Sequence, residues 1–462
     1  MKRIVPIVLA VALFMENMDS TVIATSLPVI ARDIGTSPIA LKLALTSYYV
    51  ALAIFIPISG RMADRFGARS IFRIAIGVFV LGSLACATVG SLEGFVAARF
   101  LQGMGGAMMT PVGRLLLVRA VPKSDLVDAM AWFSIPALVG PLLGPPIGGA
   151  IATYADWRWI FLINLPIGIT GIVLAGRYLP WIETVPSIRF DIPGFLLSGF
   201  ACAGLVFGFS VVSLPALPPA VGVVMAAAGL VSGVAFIAYA RRTPDPLLRL
   251  KLLKVPTLRA AILGGTLFRI GSGAVPFLLP LMLQLGFGYT PLQSGLTTCM
   301  SIGGAMLMKL LAKPILNRFG FRPTLVATSL VGGAMTMLIG IFRPDWPVLV
   351  VVLLLLVGGF FRSLFFTSIN TLAFADLSNR ESGDATAMMA AVQQVSIATG
   401  VALAGAVLEL GMALGGRSEV AIPDFTVAFL VVGAVTGAAV VAFLRLPADA
   451  GDEVAGRRVP AE

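Results

Sequence analysis

The chain has 462 residues, of which 58% are apolar and only 12% are charged, and its 33 basic residues outnumber its 22 acidic ones to give a net charge of +11. Soluble proteins carry about 25% charged residues, so this composition excludes an ordinary soluble domain and indicates a polytopic membrane protein. The chain has no histidine, which excludes His-based catalysis and histidine-ligated metal sites.

Fourteen segments of the chain are apolar and long enough to cross a membrane, which takes about 20 residues of helix. The predicted spans cover residues 4–28, 40–60, 71–90, 92–118, 127–153, 157–180, 192–212, 218–240, 258–285, 291–313, 323–342, 346–375, 384–412 and 425–445. The seventh and eighth spans have the weakest signal, so twelve or thirteen spans are the alternative. The first span follows Lys2 and Arg3 as a signal peptide would. It contains Glu16 and Asp19 and has no clear small-residue cleavage site, so we expect it to be retained as a helix.

The distribution of basic residues predicts the orientation, because cytoplasmic loops of membrane proteins carry an excess of Lys and Arg. If the N-terminus is cytoplasmic, 24 of the 33 basic residues lie on the cytoplasmic side. Only four lie in outside loops, namely Arg32, Arg158, Arg343 and Arg417. This asymmetry predicts that both termini are cytoplasmic. It also explains the net positive charge of a protein embedded in a lipid bilayer without any nucleic-acid partner.

A short sequence recurs after the second and the tenth predicted span, as GRMADRFGARS at 60–70 and KPILNRFGFRP at 313–323. Four of six residues are identical between 64–69 and 317–322, at an offset of 253 residues, and both copies are predicted to be loops on the same membrane face. We therefore expect two parallel six-helix bundles with spans seven and eight inserted between them. The predicted parts are an N-terminal bundle at 1–190, the insert and a cytoplasmic linker at 191–257, a C-terminal bundle at 258–445 and a cytoplasmic tail at 446–462.

Five stretches of the chain resemble motifs of one family. GRMADRFGAR resembles the loop signature of the major facilitator superfamily, ARFLQGMGGA (98–107) its fourth-helix motif and VGPLLGPPIGG (139–149) its antiporter motif. MDSTVIATSLPVI (18–30) and PLLRLKLLKVPTLR (246–259) are similar to motifs of its fourteen-helix drug:proton antiporter family. The resemblance implies an all-α major facilitator fold with fourteen transmembrane helices, proton-coupled multidrug efflux by alternating access, and a place in the bacterial cytoplasmic membrane.

Two of these motifs would have mechanical roles by the same resemblance. In the loop signature, Asp64 would hold the two halves together at the N-terminus of a helix that begins near Gly383, because the helix dipole attracts a carboxylate there. Topology alone is the alternative explanation for the basic residues of this motif. The glycines of the antiporter motif allow close helix contact and its prolines remove backbone hydrogen bonds, with ordinary helix packing as the alternative. The residues concerned are Gly60, Asp64, Arg65, Gly67 and Arg69 in the first motif and Gly140, Pro141, Gly144, Pro145, Gly148 and Gly149 in the second.

Ionisable side chains within spans are costly and therefore indicate function. Glu16 and Asp19 lie in the first predicted span, Arg99 in the fourth, Arg269 in the ninth and Arg362 in the twelfth. Without the insert, these spans are helices 1, 4, 7 and 10 of a twelve-helix core. The resemblance implies that these four helices line the central cavity.

Glu16 and Asp19 are the expected proton carriers, with Arg99 as their partner. Burial disfavours a charged carboxylate and a nearby arginine favours it, so a switch between such surroundings would bind a proton on one side of the membrane and release it on the other. The two carboxylates are three residues apart on one helix face and would titrate as a pair, so the proton is not assigned to one of them. A structural ion pair with Arg99 or Arg269 is the alternative.

Arg269 and Arg362 are candidates for binding carboxylate or phosphate groups of a substrate, because a guanidinium binds both in a bidentate manner. The alternative is that each arginine is held within its own half. Asn17, Gln102 and Trp132 complete the predicted substrate cavity.

The sequence thus predicts a proton-coupled secondary active exporter rather than an enzyme, with an exporter of organic anions such as polycarboxylates or metal chelates as the open alternative. Cys86, Cys202 and Cys299 lie far apart and no Walker-type phosphate loop is present. We therefore expect no metal and no cofactor, with the proton gradient as the energy source. The expected partners are a small-molecule substrate and the lipid bilayer, for a protein that acts as a monomer.

Overall fold

The structure is a computed structural model that describes residues 4–122, 125–182, 184, 190–212, 218–378, 381–447 and 449–452. Within these ranges the chain forms helices joined by turns and contains no strand. Lys2, Arg3 and most of the predicted tail lie outside the described residues. In chain order the α-helices are α1 (Ile4–Val22), α2 (Leu27–Asp33), α3 (Lys42–Phe66), α4 (Ala68–Thr88), α5 (Leu92–Ala120), α6 (Leu126–Tyr154), α7 (Trp159–Leu162), α8 (Asn164–Tyr178), α9 (Ile192–Val212), α10 (Pro219–Arg242), α11 (Pro256–Leu281), α12 (Pro291–Phe319), α13 (Phe321–Ile339), α14 (Val348–Leu372), α15 (Ser382–Leu414), α16 (Ile422–Ala438) and α17 (Val440–Leu444).

Eleven helical segments of the described chain are long and apolar enough to cross a membrane, and twelve are if α12, which bends by 61°, counts as one span. Two more helices of 29 residues each, α5 and α6, lie at the fourth and fifth predicted spans but are not among those twelve. Charge is abundant in α5, which contains Glu93, Arg99, Arg114 and Arg119. The chain is therefore a multi-span helical protein with eleven or twelve strongly apolar helices.

The two copies of the repeated motif are helical, so the prediction of loops at 60–70 and 313–323 was wrong. Only Gly67 separates α3 from α4, and only Gly320 separates α12 from α13. The helices extend beyond the apolar segments because polar side chains at the helix ends can be solvated while the backbone stays hydrogen-bonded. Each glycine has a positive φ, 89° at Gly67 and 76° at Gly320, a conformation that other residues adopt at a steric cost. The same tight turn at the same offset is what a duplicated unit predicts.

Three predicted spans are divided in the structure. In the fourteenth, α16 and α17 meet at Ala439. The first continues beyond α1 through a 3₁₀ turn at Ile23–Thr25 into α2. The sixth consists of α7 and α8, which meet at Ile163. Each of these breaks lies in a stretch that the composition alone marks as a single apolar run.

The first compact unit comprises Met1–Gly208, Met225–Gly233 and Tyr289–Leu296. In it α1 packs against α6 and α8, while α5 packs against α3 and α4. Its core contains Phe72, Phe79 and Leu116, all fully buried.

The second compact unit comprises Phe209–Val224, Val234–Gly288 and Thr297–Glu462. Here α11 packs against α15 and α16, and α13 packs against α14 and α16. At the offset of 253 residues, α1, α4, α5 and α6 correspond to α11, α13, α14 and α15, and the pairs α1–α6 and α4–α5 recur as α11–α15 and α13–α14. The two units therefore repeat one packing pattern, each around its own core.

Helices α9 and α10 approach each other through glycine. A Cβ placed on Gly204 of α9 would lie 2.7 Å from the Cα of Gly229 in α10. Small residues at such a crossing let membrane helices pack with their backbones close together.

Candidate functional site

Asp19 of α1 is fully buried and lies at the centre of a polar cluster in the first unit. Its Oδ2 accepts a hydrogen bond from Arg99 Nη1 at 2.7 Å, and its Oδ1 accepts one each from Gln102 Nε2 and Asn164 Nδ2 at 2.8 Å. Ser83 Oγ accepts from the same two amide nitrogens at 2.7 and 3.2 Å. We call Asp19, Ser83, Arg99, Gln102 and Asn164 the Asp19 cluster. It joins α1, α4, α5 and α8 at one carboxylate.

Arg99 neutralises the charge of Asp19 inside apolar packing. Only 1% of its side chain is exposed, and its Cζ lies 4.4 Å from the ring centre of Tyr48 and 5.9 Å from that of Phe161. Arg99 Nη1 also donates to Gln102 Oε1. Removing one partner of a buried pair leaves an uncompensated charge and costs about 3–5 kcal/mol. The cluster therefore stabilises the unit as well as presenting ionisable groups.

Glu16 has different surroundings from Asp19, although the two share one face of α1. Its Oε2 accepts a hydrogen bond from Thr110 Oγ1 at 2.7 Å, and among the described residues no cation pairs with it. Glu16 is partly exposed, whereas Asp19 is fully buried. The first unit thus contains one neutralised acid and, about one helical turn away, one acid without a counter-charge.

Glycine brings the helices of the cluster close enough for these contacts. A Cβ on Gly82 of α4 would lie 2.5 Å from the backbone of Gln102, and one on Gly103 of α5 would lie 2.7 Å from the Tyr48 carbonyl oxygen. Because larger residues at these two positions would push the helices apart, the geometry around Asp19 depends on them.

The two predicted cavity arginines of the second unit have separate partners. Arg269 is 2% exposed, its Nη2 donates weakly to Asn370 Oδ1 at 3.4 Å, and its Cζ lies 5.6 Å from the Phe366 ring. Arg362 Nη2 donates to Ser301 Oγ at 2.8 Å. Within the described part of the chain neither arginine pairs with a carboxylate. The structure therefore places two uncompensated cations in this unit but does not bring them to one common group.

The loop-signature residues lie around the turn between α3 and α4. Asp64 pairs with Arg119 of α5 at 2.7 Å, and both side chains are partly exposed. Arg65 lies 5.0 Å from the Phe190 ring centre, and Arg69 donates to the Gly176 carbonyl oxygen. Gly60 lies at an exposed position on α3. The role of Asp64 as a lock between the halves stays a prediction.

The antiporter motif lies on α6, which continues as one helix through Pro141 and Pro145. Its glycines face α1 closely, since a Cβ on Gly144 would lie 2.0 Å from Thr21 Oγ1 and one on Gly148 would lie 2.2 Å from the Val22 carbonyl oxygen. Gly140 faces Phe14 of α1 in the same way, and Gly149 faces Pro291, which belongs to the same compact unit. The close contact expected of this motif therefore exists within the first unit.

Two further predicted cavity residues lie on α1 and α6. Asn17 Nδ2 donates to the Leu13 carbonyl oxygen of its own helix at 2.8 Å. Trp132 of α6 is 41% exposed. The Asn17 hydrogen bond links that side chain to the backbone of its own helix and not to a charged group.

Sequence reasoning did not single out Ser83, Asn164 and Thr110, which all bond the carboxylates of α1 or their partners. Their signal is weak because each is a single neutral polar residue in a mostly apolar helix. Such side chains usually hydrogen-bond within membrane proteins, but the sequence does not say to which partner.

A chain built from a duplicated helical unit, with charged groups buried inside its membrane helices, belongs to the class of polytopic transport proteins. Residues 9–240 and 261–461 match the Major Facilitator Superfamily, and the chain belongs to that family. This finding confirms the resemblance that the motifs indicated.

The chain is 36% identical over 445 residues to a protein of Salmonella heidelberg (strain SL476) named "Putative multidrug resistance protein MdtD", covering 96% of this chain and 94% of that protein. Among solved structures it is similar to a D-xylose–proton symporter, with a TM-score of 0.69 and 15% identity over 97% of this chain and 98% of the other. It is also similar to an auto-inhibited peptide transporter of the POT family, with a TM-score of 0.67 and 16% identity over 98% of both chains. The chain is accordingly a multi-pass transporter of the bacterial inner membrane.

Proposed function

We propose that the chain is a proton-coupled secondary active exporter, a drug:H⁺ antiporter that works by alternating access. The observation that carries the proposal is the pair of carboxylates on one face of α1, one neutralised by Arg99 and the other without a cation among the described residues. A carboxylate inside a membrane is costly unless it is paired or protonated, so proton binding at Glu16 removes an unfavourable charge. The 36% identity to a protein named for multidrug resistance supports a drug-like substrate.

The geometry favours a division of roles between the two acids. Asp19 is fully buried and accepts hydrogen bonds from three side chains. In this arrangement it serves mainly to position Arg99 and to hold α1, α4, α5 and α8 together. Glu16 is partly exposed and has one neutral donor, Thr110, so it can exchange a proton with water. We assign proton exchange to Glu16, with the Asp19–Arg99 pair as its charged neighbour.

The topology that goes with this function has fourteen spans and both termini in the cytoplasm. The predicted bundles at 1–190 and 258–445, the insert at 191–257 and the tail at 446–462 remain part of the proposal. The α5 and α6 helices supply the two spans beyond the twelve strongly apolar ones. The exporter is not an enzyme, takes no cofactor, draws its energy from the proton gradient and acts on a small molecule as a monomer.

Export of an organic anion is the second candidate function. Arg269 and Arg362 favour it, because neither guanidinium pairs with a carboxylate in the described part of the chain. A substrate carboxylate would supply the missing charge.

Transport by purified protein in liposomes with an imposed pH gradient tests the proposal. Lipophilic cations are compared with di- and tricarboxylates as substrates. We expect Glu16→Gln to abolish uphill transport while substrate counterflow without a gradient persists, because the variant mimics the protonated acid. Ser20→Ala is the matched control, since among the described residues the Ser20 hydroxyl bonds just the Asn17 carbonyl oxygen of its own helix.

Two outcomes contradict the proposal. Uphill transport that persists in Glu16→Gln refutes the assignment to Glu16, and uphill transport that also persists with Asp19→Asn added refutes proton coupling through α1. Carboxylate transport that is unchanged in Arg269→Ala and Arg362→Ala refutes the organic-anion candidate.

A further inference from the structure

A small cavity in the second unit lies at the repeat position of the Asp19 cluster. It measures about 20 Å³, room for one particle of water size, and its wall is formed by α11, α12, α13 and α14. Subtracting the offset of 253 residues maps its lining onto residues in and around the Asp19 cluster. The corresponding pairs are Asp19 and Ser272, Tyr48 and Ser301, Phe79 and Gly332, Ser83 and Thr336, Gln102 and Leu355, and Met109 and Arg362.

The cavity exists because three of these positions carry smaller side chains in the second unit. Serine replaces the carboxylate of Asp19 and the ring of Tyr48, and Gly332 replaces the ring of Phe79. Arg362 enters part of the space where the first unit has Met109. The second unit thus lacks the internal carboxylate but has an arginine beside the vacated position.

Donors line this cavity without a matching negative charge. Arg362 Nη2 donates to Ser301 Oγ at 2.8 Å, and no other hydrogen bond or ion pair of Arg362 exists among the described residues. The residue Ser272 is 5% exposed, and in the same part of the chain its hydroxyl has no hydrogen-bond partner. Thr336 differs, because its hydroxyl donates to the Gly332 carbonyl oxygen at 2.8 Å. No acidic residue lies on the described lining.

A guanidinium within a membrane helix is costly without a counter-charge, and hydroxyl donors around it select an anion over a neutral ligand. The volume admits a single-atom ion and is too small for a drug or a polycarboxylate.

We propose that this cavity binds one monovalent anion of chloride size, held by Arg362, Ser301 and Ser272, at the place that corresponds to the Asp19 carboxylate of the first unit. The anion neutralises Arg362 as Asp19 neutralises Arg99. The proposal does not require drug:H⁺ antiport, but a substrate carboxylate of the second candidate function would compete with this anion for Arg362.

Thermal unfolding of the purified full-length protein tests the proposal. The protein is kept at constant ionic strength while sodium chloride or sodium bromide replaces sodium gluconate. A ligand that binds only the folded state raises the melting temperature in a saturable way. We expect such a rise with both halides, and its absence in the parent protein would overturn the proposal.

Variants locate the effect. Arg362→Met should weaken the apparent halide affinity by about tenfold or more, because it removes the charged donor. Ser272→Asp should make the melting temperature independent of halide, since it restores the carboxylate that the first unit carries. Thr336→Val is the matched control and should respond like the parent, because its hydroxyl proton is already used. A halide response that survives unchanged in both Arg362→Met and Ser272→Asp refutes the site.

Discussion

At one position of the repeat, the first unit holds Asp19 and the second holds Ser272, and the surroundings of the two residues differ accordingly. Around Asp19 the carboxylate accepts hydrogen bonds from three neighbouring side chains in a buried network, and the charges of Asp19 and Arg99 cancel. Around Ser272 a cavity adjoins Arg362, which has no carboxylate partner in the described residues. The same helix packing thus supports a closed ion pair in one unit and an open cationic site in the other.

This difference shows that the two halves of a duplicated bundle can carry different charged groups at equivalent positions. Substitution of a few side chains at equivalent positions changed the charge balance, while the pairing of helices was retained. A second pair of equivalent positions differs in the same way. The first unit has an acid, Glu16, where the second unit, 253 residues later, has a base, Arg269.

The largest expected effect is at Asp19. Asp19→Asn leaves Arg99 buried without a counter-charge, so we expect a loss of about 3–5 kcal/mol in the free energy of unfolding. Ser272→Ala, at the equivalent position, should change it little because no hydrogen bond is lost among the described residues. Thermal unfolding of the purified proteins, followed by tryptophan fluorescence, measures both. The double variant Asp19→Leu with Arg99→Met should recover much of the lost stability, and equal melting of Asp19→Asn and the parent would contradict the ion-pair argument.

A second comparison uses the equivalent glycines Gly106 and Gly359. A Cβ on Gly359 would lie 1.8 Å from the Ser301 carbonyl oxygen, whereas one on Gly106 would lie 3.1 Å from the Tyr48 hydroxyl. Gly359→Ala should therefore cost about 1–3 kcal/mol or more through displaced backbone. Gly106→Ala should cost less, since a side chain can move aside. Melting temperatures in the reverse order would show that α14 adapts more easily than α5.

The third comparison concerns the hydroxyls of Ser83 and Thr336. Ser83→Ala removes an acceptor that two buried amides share, and leaving buried donors unsatisfied costs about 1–3 kcal/mol. Thr336→Val should have a smaller effect, because in the described chain the Thr336 hydroxyl bonds just the Gly332 carbonyl oxygen of its own helix. Chemical or thermal unfolding of both variants checks the difference. Equal losses would mean that Ser83 is not part of a cooperative network.

The smallest effect should come from the exposed ion pair of Asp64 and Arg119. The two side chains are 26% and 37% exposed, so their interaction is screened by water. Arg119→Ala should therefore lower the free energy of unfolding by no more than about 1 kcal/mol. A melting temperature as low as that of Asp19→Asn would show that this surface pair is coupled to the core.

Much of the fold could be predicted from the sequence because apolar runs and glycine turns are local signals. The predicted spans lie on helices of the structure, and Gly67 and Gly320 mark equivalent turns. The breaks at Ile23–Thr25 and Ile163 were missed although Pro28 and Pro166 follow them, because membrane helices also tolerate proline without breaking. The helical state of 60–66 was missed because a polar segment at a membrane face can be loop or helix.

The site was predictable in its charges but not in its connections. Glu16, Asp19, Arg99, Arg269 and Arg362 stand out in the sequence because charged residues within apolar helices are rare. Which of them pair, and with what neutral partners, depends on helix packing.

The sequence by itself determined that this chain is a duplicated helical membrane protein with acids in its first span and bases in later ones. Hydrophobicity, charge and repeated motifs are properties of the order of residues and need no tertiary structure to be seen. Only the tertiary structure decided that Asp19 is neutralised and Glu16 is not. The partners of Asp19 come from positions 80, 83 and 145 residues away, and only packing brings them together. Packing alone also revealed that the corresponding place in the second unit is a cavity beside an arginine, because a space is defined by the side chains that surround it from several helices.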